Sequence, residues 1–119
     1  MSLRISRQHW QALLEALADA QRQRNVLTYR SLIERIGLPA PAMQTLAKAL
    51  EYLAALDARA ARPLRSALVV SQSASRLPRP GFFEHVARLG LFAGDASGAA
   101  AWHAVEVVKV FEYEYPDDD

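Results

Sequence analysis

A mainly α-helical fold carrying one small β-hairpin is what this sequence predicts, and three observations lead there. Leu27 to Pro63 is punctuated as two helices joined by a tight turn: Thr28 caps, Gly37 stops, and Pro39 and Pro41 reset the chain. Ahead of it Trp10, Leu13, Leu14 and Leu17 fall at i, i+3, i+4 and i+7, the apolar stripe of an amphipathic helix. Behind it Ser66 to Ser71 encloses the short run Ala67-Leu68-Val69-Val70, which reads as a buried strand. Helix–turn–helix followed by a hairpin is the order of a winged helix. The expectation is therefore one winged-helix-like domain over residues 1–119, with extra helices at both ends and 116–119 as a frayed acidic tail.

The elements follow in order. Ser6 caps a first helix running to about Arg24, its polar face carrying Arg7, Gln8, Glu15, Asp19 and Arg22. The second is Tyr29 to Ile36, where Tyr29, Leu32, Ile33 and Ile36 share a face and Gly37 takes a left-handed C′ position. The third starts near Pro41, acceptable in a first turn, and runs to about Arg59; Met43, Leu46, Ala47, Leu50, Leu53 and Ala54 form its buried stripe. Pro63 prevents continuation. Ala67–Val70 pairs with an edge at Arg76-Leu77 across the polar loop Ser71 to Ser75, and this hairpin is the wing. Phe82 to Leu89 is a short helix ended by Gly90, with Phe83 in the core, and Ala93 to Gly98 is a small-residue loop. The last helix reaches about Val110 and gives way to extended chain, because Phe111, Tyr113 and Tyr115 alternate with Glu112 and Glu114.

Composition narrows the function. The chain has 119 residues, 51% of them apolar and 23% charged, enough for one independently folding domain and against disorder. With no cysteine, disulfides, thiolate metal sites and cysteine nucleophiles are excluded, which fits a cytoplasmic protein. No apolar run approaches the roughly 20 residues that cross a bilayer, and the N-terminus goes straight into an amphipathic helix, so a cleaved signal peptide is not expected. Net charge is +1, but it is divided: Met1 to Pro80 carries 12 Lys/Arg against 5 Asp/Glu, and Gly81 to Asp119 carries 2 against 8. Eleven of the twelve N-terminal cations are arginine, whose planar fork suits phosphate or carboxylate. The division reads either as a basic binding face with an acidic tail or as two halves that attract one another in the fold.

In a DNA-binding helix–turn–helix the third helix enters the major groove, and its groups able to hydrogen-bond a base or phosphate are Gln44, Thr45 and Lys48. Arg59, Arg62 and Arg65 at its exit, with Arg76 and Arg79 around the proline segment, would hold phosphates. The three histidines, His9, His85 and His103, lie far apart and match no metal pattern; there is no phosphate-cradling glycine loop and no nucleophile elbow. No catalytic, cofactor-binding or metal-binding residues are expected.

Leu27-Thr28-Tyr29-Arg30-Ser31-Leu32, then Ile36-Gly37-Leu38-Pro39 and Ala47-Lys48-Ala49-Leu50, resemble the winged-helix DNA-binding domain of alkyltransferase-like proteins over about Leu27 to Gly81. The resemblance implies a third helix that enters DNA. This chain lacks the family's Pro-Cys-His-Arg site, so alkyl transfer is ruled out, and it lacks the DNA-intercalating arginine of the third helix. Arg62-Pro63-Leu64, Ala67–Val70 and Pro80-Gly81-Phe82-Phe83 are similar to small uncharacterised bacterial proteins sharing the helix–turn–helix start. The leading expectation is a non-enzymatic protein that binds double-stranded DNA or serves transcription. The alternative is a protein-interaction module, whether a homodimer, an adaptor or an immunity-type partner, on the same scaffold.

Overall fold

The computed structural model describes residues 5–73, 75–93 and 96–116. Five helices and one two-stranded sheet follow the order α1 (Arg7–Gln23), β1 (Leu27–Thr28), α2 (Tyr29–Ile36), α3 (Ala42–Arg59), a 3-10 turn (Arg65–Leu68), β2 (Val69–Val70), α4 (Pro80–Arg88) and α5 (Ala96–Glu112). Of the expected tail, 116–119, Asp117 to Asp119 lie outside the described residues, as do Met1 to Arg4.

Local chemistry sets the helix ends. The Ser6 and Thr28 hydroxyls accept from the backbone N–H groups of His9 and Ser31, each satisfying one orphan donor of a first turn. Gly37 closes α2 at φ 72°, a left-handed conformation that a Cβ would disfavour. Pro41 stands as the N-cap of α3, and Pro80 occupies the first turn of α4.

The helices enclose one main core. Leu13, Ala16, Leu17 and Ala20 of α1 meet Leu32 and Ile36 of α2, Leu46, Leu50 and Leu53 of α3, then Leu68, Val69 and Val110. A smaller cluster of Ala54, Leu64 and Val86 lies beside it, with Phe82, Leu89, Phe92 and Trp102 packed around it. Phe82 and Phe83 make an edge-to-face pair at 5.2 Å, and Phe83 is half-buried rather than in the core. Met43 stands at the exposed end of the α3 stripe, 37% accessible, instead of being buried.

The sheet is where sequence and structure part. The β-hairpin expected of Ala67–Val70 with Arg76-Leu77 is replaced by a parallel pair, Leu27 opposite Val69 and Thr28 opposite Val70. Among the described residues, one backbone bond joins the chain just after Val70 to the expected edge, from Ser71 N–H to the Leu77 carbonyl at 2.8 Å. The cause is local: Arg76 takes a left-handed φ of 54°, and Pro78 and Pro80 have no N–H to donate to a ladder. Val69 and Val70 are fully buried on both faces, the habit of parallel rather than hairpin strands. Ala67 and Leu68, expected to open the strand, lie instead in the 3-10 turn Arg65–Leu68.

Thr28→Ala removes the cap of α2 and should lower unfolding free energy by about 1 kcal/mol. Urea denaturation should show a lower midpoint at unchanged slope.

Candidate functional site

The residues expected to form a phosphate-binding face divide into two groups. Asp57 falls in the last turns of α3 on its buried face and is 0% exposed. Its Oδ1 accepts from Arg62 Nε at 2.7 Å and Arg65 Nη2 at 2.8 Å; its Oδ2 accepts from Arg65 Nε at 3.2 Å and the Arg65 backbone N–H at 3.0 Å. Arg65 thus grips the carboxylate as a fork, while Arg62 binds one edge. Their side chains are only 8% (Arg62) and 9% (Arg65) exposed. Arg62 and Arg65, expected to hold phosphates, are structural cations clamped inside the domain.

The rest of the molecule reinforces this clamp. Glu106, buried on α5, accepts from the Leu64 backbone N–H at 2.8 Å. His103, also on α5, donates from Nε2 to the Ala67 carbonyl at 2.7 Å, since a carbonyl can only accept. Beyond the end of α5, Tyr115 donates to the Pro63 carbonyl at 2.6 Å and lays its ring 4.6 Å from the Arg65 guanidinium and 5.6 Å from that of Arg62. Burial, followed by the nearby Asp57 carboxylate, drives the Tyr115 hydroxyl far above its usual pKa, so it stays a proton donor. The aromatic part of the C-terminal segment therefore packs on the domain. The sequence carried a signal for this clamp: Asp57 continues the series Leu46, Leu50, Leu53, a charged residue in register with a core stripe.

The second group is accessible. Gln44, Lys48, Arg59, Arg76 and Arg79 are exposed, and Thr45 is half-buried. Gln44 and Arg79 line one groove, which brings the N-terminal half of α3 beside the start of α4. Arg59 stands 15 residues further along α3, about 22 Å away at the helical rise, with Glu51 exposed between them. The cations are thus strung out rather than gathered.

The histidines serve different places. His85 lines the α3–α4 groove near Glu51, and burial holds it below its ordinary pKa. His103 sits among Phe82, Phe83 and the Ala67 carbonyl, its pKa also lowered, chiefly by desolvation. Among the described residues no three His, Asp or Glu side chains gather as a metal-holding group, and no helix is long and apolar enough to cross a membrane.

Asp57→Asn leaves two guanidiniums imperfectly paired in a buried place and should cost about 3–5 kcal/mol in denaturant unfolding. His103 gives a pH signature. Its folded pKa lies below the ordinary 6.5, so below that value the unfolded chain binds the extra proton. Stability should be full above about pH 6.5 and fall as pH drops towards the lowered folded value, and His103→Phe should flatten that slope. Compared with protein-family models, with curated proteins and with solved structures, the chain matches none.

Proposed function

We propose that this chain is a non-enzymatic protein-interaction module on a helix–turn–helix scaffold, with the outer face of α5 as its contact surface and a second copy as the partner. One observation carries the reading. A surface helix ordinarily shows water a polar face, but α5 is apolar nearly all round. Its inner side supplies Ala99, His103, Glu106 and Val110 to the interior. Its outer side presents Ala101, Ala104, Val105 and Val108 at i, i+3, i+4 and i+7, with Val105 55% and Val108 49% exposed.

The stripe suits self-association. Small residues let two helices approach closely, and a two-fold axis sets the same patch against itself. Lys109 and Glu112, exposed at its C-terminal end, supply the polar rim. A patch two turns long is well below a standard interface, so the dimer is weak and reversible.

A second reading, DNA binding through the helix–turn–helix, is favoured by one fact: Gln44 and Arg79 flank the same groove, with exposed Lys48 one turn further along α3. Without Arg62 and Arg65, the phosphate-holding set is Lys48, Arg59, Arg76 and Arg79.

Sedimentation should show the average mass rising from monomer towards dimer between ~10 and ~200 μM protein, the range of a weak interface. Val105→Asp with Val108→Asp should hold the chain monomeric at an unchanged melting temperature. Monomer at every concentration, together with low-salt retardation of mixed duplex DNA that Lys48→Gln and Arg79→Gln abolish, would put the DNA reading first.

A further inference from the structure

Where the end of α3 meets α5 and the chain after α4 lies a pocket of about 380 Å³, within the range of small-molecule sites. The interaction reading makes no use of it. Pro63, Leu91 and the Trp102 indole give it apolar walls, and Glu106 and Lys109 of α5 bring charge to it. Arg62 also lines it, with its guanidinium bound to Asp57. The indole is pinned in place, because its Nε1–H donates to the Leu91 carbonyl at 3.0 Å.

Glu106 is the member that asks for a ligand. It is 9% exposed, and its Oε2 accepts from the Leu64 backbone N–H. Its Oε1 has no hydrogen-bond partner among the described residues, yet it is not sealed in. Among those residues the Ser66 hydroxyl is the one unpartnered side-chain polar atom that water cannot reach. A nearly buried carboxylate, fixed through one oxygen, thus keeps the other open to the pocket it lines. An oxygen so placed gains most from a charged donor. The end of α3 adds to this preference: Ala58 and Ala61 border the pocket, and a helix C-terminus carries partial negative charge. Both features favour an ammonium group.

Lys109 makes the opposite demand. It is exposed, stands three residues after Glu106 and makes no ion pair with it. Residues so spaced share a helix face, with Cβ atoms about 5–6 Å apart. A simple amine bound to Glu106 would meet Lys109 as a like charge. A molecule that carries an ammonium and a carboxylate on the same carbon would satisfy both residues at once.

We infer that this pocket binds an α-amino acid with an apolar side chain: the ammonium on Glu106 Oε1, the carboxylate on Lys109, the side chain against Trp102, Leu91 and Pro63. Glu106 and Lys109 select the zwitterion, and the walls select the side chain.

Nuclear magnetic resonance titration of the full chain with L-leucine tests it, read at the indole N–H of Trp102, with that of Trp10 on α1 as the control that should not move. Two probes each lack one charge of leucine: 3-methylbutylamine has no carboxylate, and 4-methylpentanoate has no ammonium. Leucine should bind more tightly than either. Glu106→Gln keeps an acceptor for the Leu64 N–H and should weaken leucine about tenfold, the size of a lost charge-assisted bond. Lys109→Gln changes an exposed residue and leaves the fold intact; it should weaken leucine about threefold and not weaken the amine. No movement of the Trp102 signal at ~50 mM leucine overturns the proposal, since even a site of ~5 mM would be mostly filled there. So does leucine binding no tighter than both analogues, or leucine binding that Lys109→Gln leaves unchanged. Val105 and Val108 do not line this pocket, so these outcomes stand whether or not a second copy covers them.

Discussion

A carboxylate placed in the core of a helix is the constraint around which this molecule is arranged. Asp57 has no access to water, and an isolated charge there would cost several kcal/mol. Its compensation comes from the chain immediately following α3: two guanidiniums and a backbone N–H, delivered within eight residues. To bring them round, the chain must leave α3 sharply, and Ala61 takes a left-handed φ of 57° to do so. That turn fixes the position of Arg65–Leu68 and therefore of β2. Glu106, His103 and Tyr115 then bind the same segment from its other side, so the C-terminal helix is docked through polar contacts to backbone as much as through Val110.

Helix positions were legible in the sequence because the signals are local. Ser6, Thr28, Gly37 and Pro80 act on their own turns, and the boundaries of α1 and α2 fall within a residue of the capping pattern. The sheet was not legible. Val69-Val70 looks the same whether it pairs with a neighbour across a loop or with Leu27-Thr28 far behind it. What decides between them is the inability of Arg76 to Pro80 to offer a ladder, and full burial of both valines, which only the fold supplies.

The candidate surfaces show the same division. Arginine count gave a cationic first half, but count does not register which cations face inward. Arg59 is nearer to Asp57 in sequence yet stays exposed, whereas Arg62 and Arg65 turn back onto its carboxylate. Ser66 opened a β-rich run by sequence; that its hydroxyl is buried with no hydrogen-bond partner among the described residues is a property of packing. The outer face of α5 was partly visible, since Ala101, Val105 and Val108 share a helical spacing, but the sequence could not say that Val110 and His103 take the inward side and leave the valines out.

The parallel pairing of Leu27 with Val69 also bears on how the chain is made. During synthesis the β1 edge emerges roughly 40 residues before its mate, a delay of a few seconds at ordinary translation rates. Two paired residues cannot hold themselves together, so the pair closes only after the first three helices have collapsed around Leu32 and Leu53. Leu27 and Thr28 therefore stay without their partner strand until Val69 and Val70 have been made.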